Sequence, residues 1–134
     1  MKPAHSGRRI RGQEEVTMVV AGQALIDGVI ERVTQKAVSI IRPSDVSEYL
    51  VNHADLTGPV ELAAADAAAR FAMARLSLQL YQDPEIDDHY LVLTLSLDSF
   101  DENVAEAIAN MHAHLATQLV NKSGWLQISP TFRV

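Results

Sequence analysis

Two runs of alternating leucine constrain the fold of this chain more than any other feature. Leu76–Tyr81 and Tyr90–Leu97 each place Leu at every second position, with Ser, Gln, Thr, Val or Tyr between. Because successive side chains of a strand point to opposite faces, this period of two predicts two strands, each with a leucine face that needs a core. Pro84 and several Asp residues lie in the connection, as is typical of a turn, so the runs predict an antiparallel hairpin.

The clearest helix in the sequence follows this hairpin. Its apolar side chains keep helical spacing throughout: Val104, Ala107, Ile108, Met111, Leu115 and Leu119. Ser99 and Glu102 match a capping box at its start, and Gly124 predicts its stop. The segment Trp125–Ser129 predicts a last strand, ended by Pro130. A strand–helix–strand connection favours parallel pairing within one sheet.

The N-terminal half predicts helices. Residues 16–41 carry apolar side chains at close to helical spacing, although the β-branched segment Lys36–Ile41 leaves a strand open as an alternative there. The following segment predicts a short second helix, capped by Ser44 and ended by Thr57–Pro59. The Ala-rich segment Val60–Arg75 predicts a third helix, because Ala has the highest helix propensity.

Together these elements predict an α+β fold in two layers. A small sheet, made of the hairpin and the strand after the crossover helix, is covered on one face by the N-terminal helices. The chain has 134 residues, which is the size of one ordinary domain. We expect residues 14–134 to form that single domain and residues 1–13 to be a disordered tail.

Charge and composition narrow the classes of function. The chain has a formal net charge of −6, and Leu76–Asn121 contains no Lys or Arg, so we expect no nucleic-acid binding by the C-terminal half. The lack of Cys excludes disulfides and thiolate sites and fits a cytoplasmic location. Glu14 and Glu15 interrupt the pattern of a secretory signal, and no apolar run approaches the ~20 residues of a membrane span.

Several motifs resemble a family of small bacterial proteins, frequent in cyanobacteria, that has no assigned function. The residues that carry the resemblance are Asp83-Pro84-Glu85, the strand residues Tyr90-Leu91-Val92, Gly124-Trp125-Leu126, Phe132-Arg133 and the segment Arg42–His53. The resemblance covers about the C-terminal two-thirds of the chain and implies a bacterial source and a related fold. It implies no catalytic residue, because these motifs are turn and strand features.

An acidic cluster surrounds the predicted hairpin turn and is one candidate site. It consists of Asp83, Glu85, Asp87 and His89. Oxygen-rich turns bind Ca²⁺ or Mg²⁺, so a metal-dependent or acid–base enzyme that uses this cluster is the alternative hypothesis. The spacing departs from a D-x-D-x-D-G loop, however, and a solvated turn at a hairpin tip explains the same residues.

Other patterns do not indicate catalysis. His112 and His114 form an H-x-H pair, but two helical positions i and i+2 point in directions ~200° apart and cannot chelate one ion. The sequence contains no G-x-S-x-G, P-loop or G-x-G-x-x-G motif. We therefore predict no catalytic residue, no metal ligand and no cofactor.

The preferred site is the face of the sheet opposite the leucines. Tyr81, Tyr90, Val92 and Trp125 fall on that face, among Ser, Thr and Gln residues. Rigid rings amid small polar groups favour a protein interface, and the acidic turns favour a basic partner. The alternative is that these rings pack against the N-terminal helices. We predict a non-enzymatic protein-interaction or regulatory module that binds a protein partner and forms a homodimer.

Overall fold

Four helices and four strands make up the computed structural model, which describes residues 22–85 and 87–132. Residues 22–35 lie in helix α1. The further elements are β1 (Val38–Ile40), α2 (Pro43–Asn52), a 3₁₀ turn (Ala54–Leu56), α3 (Thr57–Arg70), β2 (Arg75–Asp83), β3 (Asp88–Leu97), α4 (Glu102–Gln118) and β4 (Leu126–Phe132). The predicted tail, residues 1–13, lies outside the described residues.

The strands form one sheet in the order β1-β2-β3-β4. Strands β2 and β3 are the predicted antiparallel hairpin, with Leu78 opposite Leu93. Strand β4 pairs parallel to β3 after the crossover helix α4, also as predicted. Strand β1 pairs parallel to β2 on the other side and adds a fourth strand to the three that were expected. The α+β class with a small sheet is therefore confirmed.

The leucine faces of the strands form the core, and helices cover them. The central strand β3 contributes Leu91, Leu93, Leu95 and Leu97, all buried. Each of the four helices contributes buried side chains to the same cluster, among them Ile26, Val33, Val46, Leu50, Ala64, Ala67, Ile108 and Met111. The small Ala side chains of α3 let its backbone approach its neighbours closely.

Among the described residues, no helix combines the length and the apolar character needed to cross a bilayer.

Both predicted serine caps are wrong. Helix α2 begins at Pro43, one residue before Ser44, and its N-cap is Arg42 in the left-handed region at φ 49°. Proline at the first helical position loses no hydrogen bond, because that N–H has no partner within a helix. Helix α4 is capped by Asp101 rather than Ser99, and the Asp101 carboxylate accepts a bond from the Val104 N–H at 2.9 Å.

Three other predicted boundaries also differ. The first helix does not continue through Lys36–Ile41, and the strand left open there as the alternative is confirmed: Ala37 adopts φ 63°, and Val38–Ile40 is a strand. Thr57–Pro59 begins α3 instead of ending α2, because Pro59 fits the first turn of a helix. Pro130 lies within β4, which continues to Phe132.

The free edge of β4 is covered at its centre. The His112 ring of α4 donates from Nε2 to the Ile128 carbonyl oxygen at 3.1 Å. Two residues further along, Pro130 has no N–H to present. Backbone groups of alternate residues point to the same side of a strand, so both features lie on the side facing away from β3.

Candidate functional site

No helix within residues 22–85 and 87–132 covers the second face of the sheet. Paired residues share a face, and the register therefore places fourteen side chains on the face opposite the leucines: Ser39, Arg75, Ser77, Gln79, Tyr81, Asp83, Asp88, Tyr90, Val92, Thr94, Ser96, Gln127, Ser129 and Thr131. Every one of them is half-buried or exposed, and none belongs to the core cluster. The described helices thus lie on one side of the sheet only, and we call the other side the open face.

One end of the open face carries aromatic rings beside carboxylates. Tyr81 and Tyr90 are paired across β2 and β3, with ring centroids 4.9 Å apart and planes tilted by 32°. Asp83 and Asp88 form the last pair of the same ladder, on the same face. We call these four residues the tyrosine–carboxylate patch. Partial burial raises the pKa of Tyr90, and the neighbouring Tyr81, Asp88 and Asp83 raise it further, which indicates negative potential at this end.

The structure groups three of the four predicted site residues. Tyr81, Tyr90 and Val92 lie together on the open face, with Val92 opposite Gln79. Trp125 precedes β4 and is 49% exposed, but it also lines the groove between α4 and β4. Trp125 therefore stands at the border of the face, apart from the tyrosine pair. The alternative that these rings pack under the N-terminal helices does not describe the Tyr81–Tyr90 pair.

A tyrosine hydroxyl from α2 fixes the strands at this end. The Tyr49 hydroxyl donates to the His89 carbonyl oxygen at 3.2 Å and accepts from the Trp125 N–H at 3.1 Å. Two residues beyond His89 on β3, the Leu91 N–H donates directly to the Trp125 carbonyl oxygen at 3.0 Å. The hydroxyl therefore bridges β3 and the entry to β4, at the point where the direct backbone ladder begins.

Replacing Tyr49 by Phe should lower the free energy of unfolding by about 1–2 kcal/mol, because both hydrogen bonds of the hydroxyl are lost. The Trp125 amide should also exchange its hydrogen faster than in the wild type, while the amide of Leu93 on the central strand should change less. Urea unfolding and hydrogen exchange measure the two effects. Equal exchange rates at Trp125 in both proteins would contradict the bridging role.

A second connection holds the segment before β4 against the 3₁₀ turn. The Asp55 carboxylate accepts from the Ser123 N–H at 2.8 Å and from the Ser123 hydroxyl at 2.9 Å, and the His53 Nδ1 lies 2.9 Å from the same hydroxyl. The Ser123 N–H, above all, holds the pKa of Asp55 below its ordinary value, and the hydroxyl adds to this effect.

This arrangement differs from a catalytic triad. A carboxylate only accepts hydrogen bonds, so the Ser123 hydroxyl proton points to Asp55 and His53 must donate to the serine oxygen. A general base has to take that proton instead. Asp55, Ser123 and His53 are best understood as a structural clip, whose members were not predicted from the sequence.

The predicted acidic cluster is dispersed over the hairpin tip. Asp87 adopts φ 45° with a side chain 97% exposed, and its carboxylate lies 3.8 Å from the His89 Nδ1. Asp83 accepts from the Glu85 N–H at 2.9 Å, as an Asx turn does. Within residues 22–85 and 87–132, no three His, Cys, Asp or Glu side chains are placed to hold a metal ion.

Negative charge extends from the hairpin tip to the neighbouring side of the domain. A polar cleft between α2 and the adjoining strands is lined by Asp45, Glu48, Asn52, His53, Gln82 and His89, with Tyr49 and Leu80. The sequence pattern did not indicate this cleft, because its two sets of lining residues are at least 27 positions apart along the chain, from His53 to Leu80. The cleft adds the carboxylates of Asp45 and Glu48 to those at the end of the hairpin.

Fold and site define the class of this protein: an α+β domain with a four-stranded sheet that the described helices cover on one face only. No protein-family model matches the chain, and no curated protein or solved structure matches it. The comparisons therefore supply no activity, and the resemblance to small bacterial proteins stays a prediction.

Proposed function

We propose that the protein is a non-enzymatic interaction module that binds a basic segment of a partner protein on the open face of its sheet. The observation that carries this proposal is the tyrosine–carboxylate patch, where the exposed Tyr81 ring, the half-buried Tyr90 ring and two carboxylates lie side by side on a face that no described helix covers. The cytoplasm is the proposed location, because the sequence lacks Cys.

The chemistry of the patch suits a Lys or Arg side chain. A cation is attracted to the face of a tyrosine ring, and a carboxylate beside the ring adds a charge-assisted hydrogen bond. Tyr81 is 41% exposed, so its ring is accessible to a partner. The paired rings restrain each other, and binding therefore costs little side-chain entropy.

The carboxylates at this end lack cationic partners within the described part of the chain. The Lys and Arg ion pairs there lie elsewhere: Arg32 with Glu61, and Arg70 with Asp66. At the hairpin tip the only such contact among described residues is the 3.8 Å approach of His89 to Asp87. A basic segment would thus meet carboxylates that need not first be released from another cation.

Binding of a fluorescein-labelled hexa-arginine peptide tests the proposal. Tyr81→Ala should weaken the peptide's affinity about 3- to 10-fold, the range expected for loss of a cation–π contact and its neighbouring contacts. Phe100→Ala is the matched control: Phe100 is 60% exposed but packs against Phe132, away from the open face. Fluorescence anisotropy measures both, and an equal loss in the two variants would contradict the assignment.

A second copy of the chain is the other candidate occupant. Arg75 lies at the opposite end of the same strand face, paired with Ser96. Two faces packed about a two-fold axis would bring each Arg75 towards the Asp83 and Asp88 of the other copy. Native mass spectrometry of the same samples distinguishes the occupants: a dimer dispersed by Tyr81→Ala but retained in Phe100→Ala would assign the face to self-association and overturn the basic-segment proposal.

A further inference from the structure

The chain carries a basic segment of its own. Lys2, Arg8, Arg9 and Arg11 precede the first acidic residue, Glu14. All 17 Asp and Glu residues and seven of the 11 Lys and Arg residues lie in positions 14–134, so those positions carry a formal charge of −10 against −6 for the whole chain. The first 13 residues are thus opposite in charge to the rest of the molecule.

We propose that this segment, residues 2–11, docks on the tyrosine–carboxylate patch of the same molecule and competes with the partner's basic segment. The inference rests on the proposed function, because it assigns a built-in competitor to the same surface. The negative charge that complements this basic segment lies at the patch itself. The carboxylates of Asp83 and Asp88 lie within Leu76–Asn121, the stretch that contains no Lys or Arg.

The first described residues lie at the end of the sheet that carries the tyrosine–carboxylate patch. The Gln23 side chain donates from Nε2 to the Ser47 hydroxyl of α2 at 3.1 Å, so the start of α1 lies beside α2. Helix α2 follows Arg42, which lines a surface cleft with Tyr81 and Gln82. The first described residues and the tyrosines therefore lie at the same end of the sheet, the former on its core side and the latter on the open face.

The reach of the segment is sufficient. Eleven residue steps separate Arg11 from Gly22, and at roughly 3.3 Å per residue they span at most about 36 Å. A domain of this size has a radius of gyration of about 13 Å, and the path from Gly22 to the tyrosines stays at one end of the sheet, so it covers only part of the domain's width. Arg8 and Arg9, further from Gly22, have a longer reach still.

The effect of this intramolecular competition on the affinity for an external peptide can be calculated. A segment tethered by a short linker has an effective concentration of about 1 mM at its site. A weak site with a dissociation constant of a few tenths of a millimolar would then be occupied most of the time. Removing the competitor should tighten binding of an external basic peptide about 2- to 10-fold at about 0.15 M salt.

The test uses the full chain with R8Q/R9Q/R11Q, and R8K/R9K/R11K as a control that keeps every charge. Affinity for the hexa-arginine peptide is measured by anisotropy for each variant, alone and combined with Tyr81→Ala. We expect the Gln variant to bind the peptide about 2- to 10-fold more tightly and the Lys variant to bind like the wild type. In the Tyr81→Ala background, the gain should shrink towards no change.

Two results would overturn the inference while leaving the proposed function intact. The first is an unchanged affinity in the Gln variant when the wild type binds the peptide and Tyr81→Ala does not. The second is an equal gain in peptide affinity with and without Tyr81→Ala, because that gain would reflect the total charge of the protein and not occupancy of the patch. Failure of the peptide to bind any variant, by contrast, would reject the proposed function and the inference together.

Discussion

Replacing Leu95 by Ala should lower the free energy of unfolding by about 2–5 kcal/mol, the cost of emptying a fully buried leucine site. Leu95 lies on the central strand β3, is 0% exposed and faces the helices. The loss combines the transfer of the removed atoms with the cavity that remains, and the surrounding leucines are too well packed to fill it. Urea unfolding followed by circular dichroism measures the change.

Thr94→Ala is the control on the same strand, one residue away. Thr94 faces the open side of the sheet and is half-buried, so we expect a change of at most about 0.5–1 kcal/mol. The contrast between the neighbours tests whether the core lies on one side of the sheet only. Similar losses at the two positions would mean that both faces are covered, and the open face would then be unavailable to a partner.

Gly124→Ala should destabilise the fold by about 3 kcal/mol, because the added methyl group has no space. A Cβ at Gly124 would lie 2.7 Å from the Leu56 Cδ1, 2.8 Å from the Tyr49 hydroxyl oxygen and 3.0 Å from the His53 Cγ. All three neighbours are held by the core or by hydrogen bonds, and their displacement would disturb the bridge between β3 and β4. Urea unfolding measures this change as well.

Gly22→Ala provides the matched control for that substitution. Gly22 is the first described residue of α1, and a Cβ there meets nothing within 4 Å beyond its chain neighbours. Ala has a higher helix propensity than Gly, so we expect no loss and a gain of up to about 0.5–1 kcal/mol. A Gly124→Ala protein as stable as the wild type would show that the segment before β4 can move away from α2 without cost.

Strands and helices with a strong hydrophobic period were predictable from the sequence, whereas the residues at which they begin and end were not. The alternation in Leu76–Tyr81 and Tyr90–Leu97 fixed the hairpin, because a shift by one residue would expose every leucine. The predicted serine N-caps were wrong because Ser44 and Ser99 each lie close to a residue that is better suited to begin the helix. Pro43 starts α2, and the Asp101 carboxylate caps α4. Such choices between adjacent residues depend on the path of the incoming chain.

The candidate site was predictable in part, for a related reason. Tyr81 and Tyr90 followed from strand parity alone, since cross-strand partners share a face. Tyr49 could not be identified in this way, because its two partners lie 40 and 76 residues away along the chain. Gly124 was interpreted as a helix stop, but α4 ends at Gln118 and the left-handed residue after it is Asn121. The role of Gly124 depends on contacts that no local pattern encodes.

The covered edge of β4 bears on how the protein can aggregate. An exposed strand edge is a template to which further chains add, as in fibril growth. Here the Ile128 oxygen is already bonded to His112, and Pro130 presents no N–H to an incoming strand. With only three residues in the opposite edge strand β1, the sheet offers no long template at either side.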